Sequence, residues 1–429
     1  MSEASPPPVV VTGLGAVSGY GWGTAGLWEG LRSGRTAVGP FDRFDHHGHR
    51  THVAAQAAFA AATVNGHGES LADVFALAAA REALGQAGLA APVGSGPAGG
   101  RGLPSGRRTA LFFGSSTGGI FESESFFDEL TRPAARGRRR ARLDLLRSQQ
   151  TSGPGEAVAR ALGVGGPVHT ISSACASATL AIARGLEALR AGEADLALVG
   201  GSDSLCRMTY AGFNALRAVD AEPCRPFRGE RAGLSIGEGA ALLVLEPLQA
   251  ARARGARPLA WLAGAAASCD AYHMTAPDPT GGGIARAIRG ALHDAAISPA
   301  EVDFVNAHGT GTPLNDAAEW QALRAVFGER AARLPVTSTK GCVGHLLGSA
   351  GAIEAVSTVL CLLHREVHPT PGSGPVDPAC PVDLVLGGGR PLGAGATALS
   401  ANFAFGGSNA ALLLRSGASL EAALERAAR

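Results

Sequence analysis

Short apolar runs alternate with amphipathic segments along the whole 429-residue sequence, and this alternation limits the possible folds more than any other feature. Short aliphatic runs are typical of buried strands, and longer segments with apolar residues three and four apart are typical of helices. Such alternation predicts an α/β fold with mainly buried strands. The strand signals are Val9–Thr12, Ala110–Phe113, Leu196–Val199, Ala241–Leu245, Val302–Val305, Pro335–Ser338 and Ala410–Leu414. The helix signals are Leu71–Leu84, Leu180–Leu189, Ile284–Ala296 and Trp320–Phe327.

The composition excludes several classes of protein. Hydrophobic residues make up 46% of the chain and charged residues 17%, which excludes a disordered protein and allows a large core. The net charge of +1 argues against a general affinity for nucleic acid or membranes. The charge-free stretches Ala4–Trp28 and Pro391–Leu414 contain Gly together with Pro or polar residues, so we expect strands with loops there and no membrane span.

Cysteine usage and the N-terminal residues predict a cytoplasmic protein. The seven cysteines are odd in number and lack pairwise spacing, which favours a reduced protein over a disulfide framework or a metal site. Residues Met1–Pro8 contain no basic segment followed by an apolar one, so no signal peptide is expected.

The segment Gly13–Ser18 resembles the beginning of a dinucleotide-binding fingerprint. The third Gly of that fingerprint is absent, and a Gly-rich stretch follows in place of a helix. We therefore interpret Gly13–Ser18 as a turn and expect no nicotinamide cofactor.

Lysine occurs once, at Lys340, among the 37 basic residues. Ammonium and guanidinium differ in shape and hydration, so a single retained ammonium group indicates a specific role, with compositional drift as the alternative. Lys340 is followed by His345 in a segment whose Gly348 and Gly351 would let a helix approach its neighbour closely.

Cys175 and His308 are the other candidate chemical groups. Cys175 precedes an apolar helix signal, and the backbone N–H groups of a helix N-terminus lower the pKa of a thiol. A buried structural cysteine is the alternative. His308 follows a strand signal on a Gly-rich loop, and Asn315 after it is expected to cap a helix with Asp316 and Glu319 in its first turn.

The segment Asn402–Asn409 is a Gly-rich turn between two strand signals. A plain hairpin is one interpretation. The functional interpretation is a loop in which Phe405 is a movable gate and a backbone N–H group contributes to an oxyanion hole.

Taken together in chain order, these motifs resemble the β-ketoacyl-[acyl-carrier-protein] synthase family, the elongating condensing enzymes. The resemblance covers essentially the whole chain and includes Gly237–Ala240 and Asp270–Pro277. It implies a thiolase-like fold of two similar halves in five α-β-α-β-α layers. Residues 1–255 would form the half that carries the nucleophile, and residues 256–429 the half that carries both histidines.

The resemblance also implies the chemistry and its residues. A thiolate is both a nucleophile and a good leaving group, which suits the condensation of two thioesters. Cys175 would be acylated, and a malonyl unit would lose CO2 while His308 and His345 hold the resulting oxyanion. Lys340 would pair with Glu354 and act on the histidines. The remaining family positions are the oxyanion and gate residues Phe405 and Gly406, the supporting Asp316, the pantetheine-binding Thr275, Thr310 and Thr312, and the acyl-pocket residue Thr117.

The implied partners are acyl- and malonyl-loaded acyl carrier protein and a second subunit, in a homodimer or in a heterodimer with a chain-length-factor-like chain. No cofactor and no metal are expected beyond the carrier's phosphopantetheine. The product would belong to fatty acid, polyketide or polyene biosynthesis. The catalytic subunit of a ketosynthase/chain-length-factor pair is the nearer alternative, and a non-catalytic acyl-binding scaffold is the more distant one.

Three departures from the family pattern bear on substrate and partner. Thr117 stands where an aliphatic residue or Gly usually lines the acyl pocket, which favours a polar or unsaturated chain. Ala404 replaces the usual Gly before Phe405, which affects the mobility of the gate. The region Ala57–Leu84 has only Arg81 as a basic residue, where relatives usually carry several Lys or Arg for carrier-protein docking. The Arg-rich segment Arg132–Arg147 is either a solvated face or the docking patch for an acidic carrier protein. Separately, Pro92–Gly106 is expected to be a surface loop or partly disordered.

Overall fold

The structure is a computed structural model that describes residues 6–58, 69–89, 103, 106–132 and 142–419. Its strands are β1 (Val9–Ser18), β2 (Gly21–Trp22), β3 (Gly39–Pro40), β4 (Val53–Ala54), β5 (Thr109–Gly114), β6 (Val168–Ile171), β7 (Leu196–Asp203), β8 (Gly239–Pro247), β9 (Ala260–Cys269), β10 (Phe304–Asn306), β11 (Pro335–Thr337), β12 (Glu366–Val367), β13 (Asp383–Leu384), β14 (Arg390–Pro391), β15 (Thr397–Phe403) and β16 (Ser408–Ser416). Its helices are α1 (Thr24–Arg32), α2 (Leu71–Gln86), α3 (Ile120–Thr131), α4 (Gly153–Leu162), α5 (Ser177–Arg190), α6 (Arg207–Ala215), α7 (Leu248–Ala253), α8 (Gly282–Asp294), α9 (Pro313–Phe327), α10 (Thr339–Val343) and α11 (Ala350–His364).

The strand order repeats itself in the two halves of the chain. In the 12-stranded sheet, β1-β8-β7-β5-β6 extend to one side and β9-β16-β15-β10-β11 to the other, and β1 pairs with β9 at the centre. We number the five main strands of each half in chain order. Both halves then place them side by side in the sheet in the order first, fifth, fourth, second, third. The parallel and antiparallel pairings also match, since β5 is parallel to β6 and β7 as β10 is to β11 and β15. The predicted α/β fold with two similar halves is confirmed, whereas the exact boundary between residues 255 and 256 stays a prediction.

Helices separate and cover the two parts of the sheet, which gives the five layers. On the outer face of the first half, α2 packs against β1 and β8, and on the outer face of the second half, α8 packs against β9 and β16. The central layer consists of α5 and α11, which contact each other and strands of both halves. Within the described residues, Leu347–His364 is the one helical stretch long and apolar enough to cross a membrane, but 89% of it is buried. Its apolarity is explained by packing between the sheets.

The turn expected at Gly13–Ser18 was wrong, because these residues continue β1. The glycines are needed for packing and not for a reversal of the chain. A Cβ atom at Gly13 would lie 2.0 Å from the Ala83 carbonyl oxygen, and one at Gly15 would lie 1.8 Å from the Ala79 carbonyl oxygen. The two glycines therefore allow α2 to lie directly on β1.

Several boundaries also differ from the expected ones. Asn315 does not cap α9: the helix begins at Pro313, and Thr312 occupies the N-cap position. Proline fits the first helical turn, where its missing N–H is not needed. Most of the Arg132–Arg147 segment, namely residues 133–141, and most of Pro92–Gly106 lie outside the described residues.

Candidate active site

Three side chains from separate parts of the chain converge in one cavity. Cys175 lies just before α5, His308 follows β10, and His345 lies between α10 and α11. The thiol sulfur and one ring nitrogen of each histidine all lie within 4.8 Å of one another. The two imidazole rings are 5.5 Å apart and nearly perpendicular. Both histidines are 1% exposed and Cys175 is 8% exposed, so the cluster is shielded from bulk water.

The backbone around Cys175 is held in a tight bend. Ala174 has a φ of 45°, a conformation that non-glycine residues rarely adopt. The Ser177 hydroxyl donates to the Ala174 carbonyl at 2.6 Å and accepts from the Ser173 N–H at 2.8 Å. Gly114 at the end of β5 leaves room for the first turn of α5, because a Cβ there would lie 2.3 Å from the Ala178 nitrogen. These contacts hold the bend between β6 and α5 that carries the thiol.

Burial raises the pKa of the Cys175 thiol to about 11, although Lys340 and the backbone N–H groups of Phe405 and Cys175 act to lower it. The expected lowering of this pKa by the helix N-terminus is therefore outweighed by desolvation. In the free protein at neutral pH the group is therefore a thiol.

This pKa predicts a steep pH dependence of Cys175 alkylation. We expect the iodoacetamide rate to rise about tenfold per pH unit from pH 7 to 10, because only the thiolate reacts. The rate is measured by mass spectrometry of the Cys175 peptide, with N-acetylcysteine as the reference. A plateau below pH 8 would instead restore the helix-terminus prediction.

Both histidines have a fixed tautomer. The Leu347 backbone N–H donates to Nδ1 of His345 at 3.0 Å, and the Lys340 ammonium donates to Nδ1 of His308 at 3.0 Å. An imidazole that accepts at Nδ1 carries its hydrogen on Nε2. Burial first, and Lys340 second, lower the pKa of both histidines well below the usual value, so both are neutral at neutral pH. Each ring therefore offers one N–H donor to the cavity.

The cluster has the residue types of a zinc site, but its surroundings do not fit a metal ion. A histidine that binds a metal through Nε2 carries its proton on Nδ1 and donates it to an acceptor. Here Nδ1 of both rings faces a donor instead, the Leu347 N–H or the Lys340 ammonium. A metal on Cys175, His308 and His345 would oppose both hydrogen bonds, so the arrangement favours a ligand that accepts from N–H groups.

A buried charged network lies behind His308. Lys340 is 1% exposed and its ammonium donates to Glu354 as well as to His308, which is the pairing expected from the sequence. Asn402 completes the network, since its Nδ2 donates to Glu354 Oε2 at 2.7 Å and lies 3.3 Å from His308 Nδ1. Sequence reasoning missed Asn402. It was expected to begin the turn Asn402–Asn409, whereas β15 continues to Phe403. Its signal was an amide near the end of a strand of small and apolar residues.

A second carboxylate holds the backbone of His308. Glu319 accepts from the His308 and Gly309 N–H groups at 2.9 and 2.8 Å, and burial raises its pKa to about 8. This contact was also missed: Glu319 was expected only as a residue of the first helical turn, whereas α9 begins at Pro313 and Glu319 lies in its second turn. Asp316 supports the next part of the loop by accepting from the Gly311 and Phe227 N–H groups.

The predicted pantetheine-binding threonines line the same cavity as Cys175 and both histidines. Thr275 comes from the segment after β9, and the hydroxyls of Thr310 and Thr312 lie 2.9 Å apart on the loop after His308. Their role in binding the pantetheine arm stays a prediction.

The loop between β15 and β16, which carries the predicted gate residue Phe405, has a fixed and an exposed part. Phe405 is 37% exposed, and its ring centroid lies 5.8 Å from that of Phe213 on α6. Its N–H acts to lower the pKa of the Cys175 thiol, and its role as an oxyanion donor stays a prediction. The Gly406 N–H is not available for that role, because it donates to the Met274 carbonyl at 2.8 Å. With a φ of 85°, Gly406 instead allows the sharp reversal of the loop.

Thr117 lines a second pocket beside Cys175, together with Ser116, Thr209 and Phe213. Its hydroxyl donates to the buried carboxylate of Asp203 at 2.8 Å. Because this hydroxyl hydrogen is already bonded to Asp203, it does not support the expected preference for a polar acyl chain.

The fold and the site define a class of protein. Two like halves of the thiolase type, with a buried thiol facing two neutral imidazole donors, are the architecture of a condensing enzyme. Family models agree: the β-ketoacyl synthase N-terminal domain matches residues 7–251, and the C-terminal domain matches residues 259–373. The chain belongs to the β-ketoacyl synthase family.

Relatives and solved structures are similar over nearly the full chain. Nodulation protein E of Rhizobium meliloti (strain 1021) is 36% identical and 3-oxoacyl-[acyl-carrier-protein] synthase 2 of Staphylococcus aureus (strain COL) is 34% identical, each over 95% of this chain and 98% of the relative. The ishigamide ketosynthase/chain length factor has a TM-score of 0.86 at 33% identity, over 96% of this chain and 99% of that chain. A type II PKS acyl-carrier protein in complex with its ketosynthase bound to the hexaketide has a TM-score of 0.83 at 32% identity, over 96% of this chain and 100% of that chain. The chain is thus a condensing enzyme of the ketosynthase type.

Proposed function

We propose that this ketosynthase is an acyltransferase of the elongating type, which loads an acyl chain on Cys175 and condenses it with malonyl-loaded carrier protein. The observation that carries the proposal is the convergence of the Cys175 thiol with the His308 and His345 imidazoles, whose Nδ1 atoms already accept from other donors.

The first step is acyl transfer from the carrier's phosphopantetheine to Cys175. The sulfur attacks the thioester carbonyl, the carbonyl oxygen takes up negative charge between the Cys175 and Phe405 N–H groups, and the pantetheine sulfur leaves. The proton lost by Cys175 ends on the departing pantetheine thiol. No net charge is created overall, which suits a site shielded from bulk water.

The second step is decarboxylation of the malonyl thioester. The electron pair of the bond to the carboxylate becomes an enolate as CO2 leaves, and its charge is carried by the thioester oxygen. Two Nε2–H donors in a dry site suit that oxygen, so His308 and His345 are assigned to it. The enolate carbon then attacks the acyl-Cys175 carbonyl, a carbon–carbon bond forms, and the Cys175 thiolate leaves.

The supporting residues complete this assignment. Lys340 and Glu354 keep Nδ1 of His308 as an acceptor, and Asp316 fixes the loop that carries Thr310 and Thr312. These two threonines and Thr275 bind the pantetheine arm. We assign the reaction no cofactor beyond that arm, because the imidazole donors carry the charge that a metal would otherwise stabilise.

The partners we propose are acyl carrier protein and a second ketosynthase-like subunit. The first is supported by the carrier protein named for two of the similar proteins. The second is supported by β6, which forms the end of the large sheet and pairs only with β5 among the described residues, with Val168 37% exposed. An unpaired strand edge of this kind favours association. Either a homodimer or a pair with a chain-length-factor-like subunit would cover this strand edge.

We also propose a cytoplasmic location, which is supported by the free state of all seven cysteines.

Intact mass spectrometry of the purified protein tests the proposed function. Incubation with acyl-loaded carrier protein is expected to add one acyl group at Cys175, and subsequent malonyl-loaded carrier protein to remove it as a β-ketoacyl product two carbons longer. If acylation occurs but elongation needs a second subunit, the chain-length-factor alternative is favoured. No acyl adduct under either condition would support the acyl-binding scaffold instead.

A further inference from the structure

Two different donors serve the same two acceptors behind His308. The Lys340 ammonium donates to His308 Nδ1 and to Glu354 Oε1, and the Asn402 amide Nδ2 faces His308 Nδ1 and Glu354 Oε2. The four side chains form a closed ring of hydrogen bonds, and all are 1% exposed or less. A donor that duplicates the lysine is unnecessary for charge balance, so it calls for a separate explanation.

The orientation of the Asn402 amide follows from its partners. Both oxygens of Glu354 accept, so the NH2 group of Asn402 must face the carboxylate. The Asn402 carbonyl oxygen then accepts from the Thr179 hydroxyl of α5 at 2.6 Å. Gly351 on α11 leaves space for this contact, because a Cβ there would lie 1.9 Å from the Thr179 hydroxyl oxygen and 2.9 Å from the Asn402 carbonyl oxygen. Asn402 is thus fixed on both sides of its amide.

The two donors differ in one chemical respect. A lysine ammonium can transfer its proton to an imidazole nitrogen, whereas an amide N–H is not acidic enough to do so. Asn402 therefore faces Nδ1 of His308 with a donor that cannot protonate the ring. A second donor at this nitrogen favours the tautomer that accepts at Nδ1 and presents Nε2–H to the cavity.

We propose that Asn402 is a positioning residue for His308, which fixes the Nε2–H tautomer required for decarboxylation. The inference rests on the proposed function, because it assigns Asn402 to the decarboxylation step and not to acyl transfer. Asn402 acts through His308, because its donor atom faces Nδ1 of the ring, whereas Nε2 on the other side of the ring faces the cavity.

The test uses Asn402→Asp in the full-length protein, with separate assays of the two half-reactions. Aspartate has nearly the shape of asparagine but replaces the donor by an acceptor, so His308 is expected to carry its hydrogen on Nδ1 and lose it from Nε2. The kcat for malonyl decarboxylation is expected to fall about 100-fold, with the KM for malonyl-loaded carrier protein and the rate of Cys175 acylation within about threefold of wild type. Selective 15N-histidine NMR is expected to show the tautomer change at His308.

Two further variants keep the test decisive. Asn402→Ala retains the Lys340 donor and is expected to lose only about tenfold in decarboxylation, and it replaces the aspartate variant if that one does not fold. Ser400→Ala is the matched control: Ser400 is buried on the same strand, and its hydroxyl has no hydrogen-bond partner in the part of the chain described. It is expected to retain wild-type rates in both steps.

The outcomes separate this inference from the proposed function. Wild-type decarboxylation in Asn402→Asp, equal losses of both half-reactions, or an unchanged His308 tautomer would each overturn the positioning role. If the variants give one of these results but the wild-type protein takes up acyl groups and decarboxylates malonyl substrate, only the role of Asn402 is refuted. A wild-type protein that does neither refutes the proposed function itself.

Discussion

Replacement of Cys175 by alanine is expected to abolish acyl transfer completely while malonyl decarboxylation continues. The sulfur that lies within reach of both histidines is removed, so no acyl-enzyme can form at this site. The two Nε2–H donors stay in place, because the hydrogen bonds that fix them come from Leu347 and Lys340. Intact mass after incubation with acyl-loaded carrier protein reports the first step, and CO2 release from malonyl-loaded carrier protein reports the second.

Cys361→Ala is the matched control for the Cys175 variant. Cys361 is a buried cysteine as well, but it lies near the end of α11 and does not line the cavity. It is expected to be acylated like the wild type. An acyl adduct on Cys175→Ala would show that another nucleophile carries the chain and would contradict the assignment.

The second large effect is expected for His345→Ala. One of the two donors to the enolate oxygen is lost, and removal of a single oxyanion donor costs about 100- to 1,000-fold in rate. Decarboxylation is expected to fall by that factor, whereas acylation of Cys175 is expected to stay close to wild type, since its oxyanion donors are backbone N–H groups. Single-turnover assays of each half-reaction measure the difference.

His364→Ala separates this effect from the general loss of an imidazole. His364 is stacked on Trp28 at the end of α11, away from the cavity. Its replacement is expected to leave decarboxylation unchanged. If the His345 variant lost acylation and decarboxylation equally, the division of roles between the thiol and the histidines would have to be abandoned.

Much of the fold and the reactive groups could be predicted from the sequence because they leave local signals. Apolar runs mark β5, β7 and β8, since strands buried on both faces need apolar residues at every position. Cys175, His308, His345 and Lys340 stand out as reactive side chains among small and glycine-rich neighbours. The cavity that they share is a consequence of strand order, which local patterns do not contain.

The errors and omissions have physical causes of the same kind. The pKa of Cys175 depends on burial by distant segments, so the helix-terminus argument alone gave the wrong direction. Gly13 and Gly15 were interpreted as a turn because their packing partner, α2, lies far along the chain. Asn402 and Glu319 were missed because their importance lies in the atoms they meet, and those atoms belong to other elements.

The repeated strand order divides the reaction between two structurally equivalent parts of the polypeptide. The sulfur belongs to the first repeat, and both imidazoles belong to the second. After a gene duplication, mutations in the first repeat of one gene product can therefore remove the acyl-binding sulfur and leave the carbanion chemistry of the second repeat intact. Two paralogous proteins can thus divide the reaction between them without any change of fold.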